Sequence, residues 1–334
     1  MNILYILGNG FDLQLGLKTS YYDFYQYYTN LNDDPSEPVK QVRKSIEDHI
    51  SNKGIYSNWS DMELALGEYA KKIKPYNKEQ YIEVIVDILN HLAEYLSGQE
   101  ESLKKTPLAE STLRKFLYNQ EFLFEGREKS KNIIIDFKKR SKDKSHIIDV
   151  ITFNYTKSFE KLLPITPKSN FIKQRDINYI YNQTLHVHGT IDSNMVLGVD
   201  NVNQIANNDF AYDQEISDYI VKKTQNENTE SLIDQAVEES FLRSNMICIY
   251  GTSMGETDKR WWELIGQHLH NNKECIVIIC AYIEDTEREK INRRSAYYRK
   301  KKTELIKEFM NKINNQEIND RILVSFSKDP FKIK

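Results

Sequence analysis

Cysteine is scarce in this chain, with three among 334 residues. Cys248, Cys275 and Cys280 all lie in apolar, strand-like runs, and none belongs to a C-x-x-C pair. Three cysteines cannot build a four-cysteine zinc site. Buried thiols fit a reducing compartment, so a cytoplasmic location is expected. Long apolar runs are missing as well, and none approaches the roughly 20 residues that span a bilayer. The N-terminus lacks the basic, apolar, small-residue order of a signal peptide, because Asn2 leads straight into a short strand. Neither sign of charge dominates. Lys and Arg number 46 against 49 Asp and Glu, for a formal net charge of -3. The totals therefore give no electrostatic reason to bind nucleic acid or an anionic membrane. Internal repeats and coiled-coil heptads are also absent. What is present is 40% hydrophobic and 28% charged residues, the proportions of a globular protein with a real core.

Short apolar runs rich in β-branched residues predict strands at Ile3–Leu7, Ile147–Thr152, Thr184–His188, Met195–Leu197, Met246–Tyr250, Cys275–Ala281 and Ile322–Phe326. Several are apolar on both faces, as in strands covered by helices on both sides. After the first run come about 130 residues without a convincing strand, far beyond a crossover of a dozen or more. That stretch has helical periodicity. Tyr81, Ile85, Ile88, Leu92 and Leu96 recur at helical spacing before a stop at Gly98, and Leu113, Phe116 and Leu117 continue the pattern. A lysine-rich link over 138–144 precedes the return to strands. The polar stretch 201–239 reads as loop and helix over the sheet edge, with 226–230 as an exposed loop. The fold class is thus α/β, a mostly parallel sheet flanked by helices. Residues 1–20 and 145–334 form its core, with a large helical insertion over 21–144.

Four strand ends carry candidate chemistry. In Gly8-Asn9-Gly10 a buried strand breaks on two glycines and turns into a helix, a geometry in which backbone N–H groups can cradle phosphate. A plain turn has the same signature. Phe11, Asp12 and Leu13 follow, so the G-x-G-x-x-G spacing is absent. No second strand with a ribose-binding acid follows within ~30 residues, which disfavours a hydride-transferring dehydrogenase. Asn154, in the run 151–156, stands where open α/β sheets bind ligands; it could hold a ribose or a water, or merely close an Asx turn. His186 and His188 share a strand face by alternation. They invite a metal reading with Asp192, Asp200 or Asp258, but no H-E-x-x-H spacing supports it. The other readings are structural histidines, or His188 alone as a general base beside Gly189. Finally Gly251-Thr252-Ser253 ends another buried strand, followed by Asp258. Its hydroxyls and N–H groups suit a phosphate or ribose, with helix capping as the simpler reading. Trp261 and Trp262 are expected to pack the next helix on the core. Loops of this kind on one edge of a parallel sheet favour a shared nucleotide site.

Taken together, the segments GNGFDLQLGLKTSYYDF, TFNYT, HVHG and IYGTSMGETD resemble the AbiH family of bacterial abortive-infection proteins. Trp59-Ser60-Asp61-Met62-Glu63 is similar to a further family segment, and the resemblance runs from residue 1 to about 262. More distantly, the same order resembles the Rossmann-like, sirtuin-like NAD-binding fold through Gly8-Asn9-Gly10, Asn154, His188-Gly189 and Gly251-Thr252-Ser253. In sirtuin-like NAD hydrolases of phage defence the matching Asn and His are catalytic, which implies Asn154 and His188 as a catalytic pair. Cofactor-binding candidates are then Gly8, Asn9, Gly10, Asp12, Gly251, Thr252, Ser253 and Asp258. There are departures. The sirtuin zinc module is absent, so acyl-lysine removal is not implied, and Asp12 replaces a small residue. The resemblance implies an anti-phage effector that binds and hydrolyses NAD, as substrate or ligand, with no metal. The alternatives are a non-catalytic nucleotide sensor or toxin scaffold, and a metal-dependent nuclease on His186 and His188. Expected partners are a small nucleotide and a phage-derived trigger protein, with self-association left open and no membrane. Nucleic acid is not expected, because the basic run from Arg293 to Lys302 reads as the solvated face of a helix.

Overall fold

The computed structural model describes residues 1–51, 61–105, 107–140, 145–164, 170–174 and 176–326. Seven strands form one sheet: β1 (Asn2–Leu7), β2 (Ser145–Thr152), β3 (Phe171–Gln174), β4 (Ile177–His186), β5 (Met246–Tyr250), β6 (Ile276–Cys280) and β7 (Ile322–Ser325). Their spatial order is β3-β4-β2-β1-β5-β6-β7. Every neighbouring pair is parallel except β3 with β4. From β1 the chain goes to β2 on one side and later to β5 on the other. A reversal of this kind opens a crevice at the carboxyl ends of the strands, where open α/β sheets hold ligands.

Alternation along β1 shows how both sheet faces are filled. Ile3, Tyr5 and Leu7 enter one core and Leu4 and Ile6 the other, all 1% exposed or less. The chain then forms α1 (Gly10–Gln14), α2 (Tyr21–Tyr28), α3 (Glu37–Ser51), α4 (Met62–Tyr69), α5 (Lys78–Glu101), α6 (Pro107–Tyr118) and α7 (Glu128–Arg140) before β2. These helices serve two places. Leu113, Phe116 and Leu117 of α6 and Ile134 of α7 cover the Ile3–Tyr5–Leu7 face of the sheet. By contrast α2 to α5 build a separate core around Phe24, Tyr28, Val42, Leu66 and Ile88. Tyr155, just past the carboxyl end of β2, belongs to that second core. So α2–α5 meet the sheet at the edge where its strands end. Capping fixes two starts: Ser20 accepts the Asp23 N–H at α2, and Asp61 accepts the Leu64 N–H at α4.

The later helices are α8 (Ser158–Leu162), α9 (Asn208–Ala211), α10 (Gln214–Ile220), α11 (Lys222–Asn228), α12 (Ile233–Arg243), α13 (Lys259–Asn271), α14 (Asp285–Arg293) and α15 (Ser295–Lys312). Val237 and Phe241 of α12, Trp261 and Trp262 of α13 and Phe309 of α15 cover the Leu4–Ile6 face. Both tryptophans are buried in that core, as their place after a strand end predicts.

Some sequence expectations need correction. Met195–Leu197 is not a strand. The Val196 N–H donates to His188 O at 2.9 Å, and Gly198 turns the chain away at φ 150°, leaving only a bridge from Val199 to Val221. Residues 226–228 are helical rather than an exposed loop, and the buried Asn226 amide donates to Asp234 at 2.9 Å. The run expected at Thr184–His188 belongs to a longer strand that begins at Ile177 and ends at His186. β3 had no apolar stripe to announce it, with Phe171 half exposed at the sheet edge. Lys138–Arg140 close α7, with Lys138 buried on Glu121, while 141–144 of the lysine-rich link lie outside the described residues. Among the described residues no helix is long and apolar enough to cross a membrane.

Candidate functional site

A cavity of about 910 Å³ opens at the carboxyl edge of the sheet. Its wall contains the ten residues the sequence offers as catalytic or cofactor-binding candidates, Gly8, Asn9, Gly10, Asp12, Asn154, His188, Gly251, Thr252, Ser253 and Asp258, but not the metal-ligand candidates His186, Asp192 and Asp200. Leu92 and Leu96 of α5 form part of its roof, and Leu305 and Glu308 of α15 lie on its other side.

The two glycine turns meet backbone to backbone. Gly8 N–H donates to Tyr250 O at 2.9 Å and Gly10 N–H to Gly251 O at 2.7 Å. A Cβ at Gly8 would stand 2.7 Å from Gly251 O, and one at Gly10 would stand 2.6 Å from Gly251 Cα. Gly251 itself has φ 71°, a region L side chains rarely adopt. Glycine is therefore required for close approach of β1 to β5. The expected phosphate cradle is altered accordingly, since the Gly8 and Gly10 N–H groups are already used within the protein. Asn9 ties the first turn to the start of α2: its amide donates to Thr19 O at 2.8 Å, and the Thr19 hydroxyl donates to Asn9 Oδ1 at 2.5 Å.

Asp12 is 1% exposed. The hydroxyls of Thr156 and Ser158, just after β2, both donate to its carboxylate. Burial pushes its pKa up to about 6, against the pull of those two hydroxyls. Asn154 adds a weak hydrogen-bonding pull that lowers the Asp12 pKa further, but its Nδ2 makes no well-formed hydrogen bond. That amide is buried and lies in the cavity wall. An unsatisfied buried donor is costly, so its position asks for an acceptor from a ligand or a water.

The backbone around Asn154 is held by the other histidine. His186 bonds Asn154 O through Nδ1 at 3.0 Å and Glu160 Oε1 through Nε2 at 2.9 Å. Burial weakens the His186 imidazolium, but Glu160 and the Asn154 carbonyl outweigh it and raise the pKa. His188, past the end of the strand, faces elsewhere. Its Nε2 lies 2.9 Å from Asp258 Oδ1, and its ring packs against Phe153 and Tyr155 at 5.5 and 6.0 Å. Strand alternation ends at His186, which is why the two rings enter separate networks. A contact of 2.9 Å to a carboxylate requires a proton on Nε2; in the neutral ring Nδ1 is then the acceptor nitrogen. Of the acids considered with these histidines, Asp192 pairs with Lys157 and Asp200 lies 3.7 Å from Arg260; Asp258 alone meets His188. Among the described residues no three His, Cys, Asp or Glu side chains gather as a metal centre.

Behind His188 and Asp258 lies a charged cluster whose lysine, Lys222, stands in no motif. Lys222 Nζ donates to Glu63 Oε2 at 2.7 Å, Asp258 Oδ1 at 3.0 Å and Thr257 O at 3.1 Å. The Thr257 hydroxyl donates to Glu63 Oε2 at 2.8 Å. Burial works against the Lys222 ammonium, yet Asp258 and Glu63 outweigh it and raise its pKa. The two carboxylates diverge: burial keeps Glu63 above its ordinary value, whereas Lys222 and His188 overcome burial and hold Asp258 well below. Glu63 closes the family-like segment Trp59-Ser60-Asp61-Met62-Glu63, of which Trp59 and Ser60 lie outside the described residues.

A family model described as bacteriophage abortive infection AbiH matches residues 4–280. The chain belongs to the AbiH family. The match covers the main site segments, from the Gly8–Gly10 turn through Asn154 and His188 to Asp258, and it extends beyond 262 into β6. Membership carries a role in bacteriophage abortive infection. A comparison with curated proteins finds no match.

Proposed function

We propose that this AbiH protein acts in phage defence by hydrolysing NAD at the bond between nicotinamide and ribose, on a sirtuin-like core. The observation that carries the reading is Asn154 Nδ2, a buried donor with no well-formed hydrogen bond beyond a weak pull on Asp12, in the same wall as a histidine oriented by an aspartate. The cavity volume falls in the range of small-molecule and cofactor sites.

In the reaction, the C1′–N bond breaks and its electron pair leaves with nicotinamide, which becomes neutral. Positive charge builds on the ribose, as in other glycosidic cleavages. A water oxygen bonds C1′, and its proton passes to His188 Nδ1. Asn154 Nδ2 donates to that water or to a ribose hydroxyl, fixing it against the anomeric carbon. Asp258 holds the ring from the far side and faces the imidazolium that forms. The Thr252 and Ser253 turn lies against the pyrophosphate, and Asn9 keeps the first glycine turn in place.

The test is to incubate purified protein with NAD and assay nicotinamide. Wild type treated with phage extract should release it. His188→Ala should lose about 100- to 10,000-fold in rate, the usual contribution of a general base, while still binding NAD. A ligand-induced rise in melting temperature without any turnover, in resting and phage-extract-treated protein alike, would instead make the cavity a sensor site.

A further inference from the structure

The geometry points to Lys222, braced by Glu63, as a positioning residue that acts on His188 through Asp258. This rests on the proposed hydrolytic role of His188. Lys222 is 2% exposed and Glu63 4% exposed. Burying an ammonium and a carboxylate together is a poor route to stability, since a well-packed apolar pair often does as well or better. Charged clusters of this kind beside a cavity are enriched at functional sites.

An ammonium has three protons to donate. Glu63, Asp258 and the Thr257 carbonyl take all three. None is left for His188, so the 3.4 Å approach of Lys222 Nζ to His188 Nε2 is a contact and not a donated bond. What Lys222 does is fix Asp258 Oδ1, the same oxygen that receives the His188 Nε2–H. With that oxygen held, the histidine has one orientation and one tautomer, with Nδ1 left to accept a proton. The charged groups facing the ring are Asp258 and Lys222, with Glu63 behind Lys222 and the Tyr155 ring alongside. Four separate pieces of chain meet here: α4 supplies Glu63, α11 Lys222, the turn before α13 Thr257 and Asp258, and the segment after β4 His188. Seating of α4 on α11 thus reaches the proposed base.

Two readouts on the full-length protein separate this role from a structural one. The first needs no ligand. The His188 Nε2–H bonded to Asp258 should give a downfield proton resonance, assigned by its loss in His188→Gln. In Glu63→Gln that resonance should move upfield, because Lys222 turns its charge onto Asp258. In the double variant Glu63→Gln/Lys222→Met, which leaves no unpaired buried charge at these two positions, it should broaden or vanish while the fold persists. The second readout is kinetic: kcat should fall on the order of tenfold in the double variant, with KM within about twofold. An unchanged resonance in a folded double variant would overturn the positioning role. If wild type releases no nicotinamide, in resting and phage-extract-treated protein alike, the hydrolytic reading fails, and the resonance alone decides whether Lys222 orients His188.

Discussion

Asp12 shows how far one side chain at this site departs from ordinary behaviour. Its carboxyl ionises near 3.8 in a solvated chain and at about 6 in the folded protein. Between those values the unfolded state binds fewer protons than the native one, so the group's stabilising contribution is complete below about 3.8 and is lost as pH rises through about 6. A rise of that size corresponds to about 3 kcal/mol. Asp12→Asn removes this titration. Its melting temperature relative to wild type should therefore rise between about pH 4 and 7.5; a difference independent of pH would show that Asp12 is not a strained buried acid. Asn154, His188 and Asp258 were legible because each follows a buried strand, and strand ends are where this class of sheet binds ligands. Glu63 and Lys222 were not. Their pairing spans 159 residues, and nothing local in either segment encodes it.

At the scale of elements, the two glycine turns lock β1 to β5. A Cβ on Gly251 would lie 2.7 Å from Phe11 N, in a backbone already at φ 71°. Gly251→Ala should destabilise the protein by about 2 kcal/mol or more in denaturant titration, whereas a shift below a few tenths would mean the turns can part. On the far side of the sheet, Arg243 at the end of α12 reaches the buried Asp149 of β2 at 2.9 and 3.2 Å. Arg243→Ala leaves Asp149 with the Asn182 amide as its remaining hydrogen-bond donor. Since Arg243 is partly exposed, a loss of about 2 kcal/mol is expected, below the roughly 3–5 of a fully buried pair. A loss no larger than that of an ordinary surface substitution would argue against the pin. The parallel strands and α5 could be read from periodicity because each repeats an apolar pattern long enough to be distinctive. β3 lies at the sheet edge with Phe171 half exposed, and α11 is short and polar, so neither carries such a pattern. Leu197 and Val199 are apolar for another reason: they fill the core around α2–α5 without entering the sheet.

For the whole molecule, the site belongs to no single part of the chain. The sheet supplies the strand ends, α4 and α5 supply Glu63 and the roof, and α15 closes another side. A change in how the early helices sit would therefore alter the cavity, and this is the route by which the proposed phage-derived trigger would reach the proposed NAD site. NAD loss during infection tests this reading most directly. Cells carrying wild type, Asn154→Ala or His188→Ala should be infected, and NAD measured over the course of infection. The expected result is that NAD collapses in wild-type cells, which resist phage, and holds level in both variants, which do not. Protection by wild type with NAD unchanged, or protection by both variants, would contradict it.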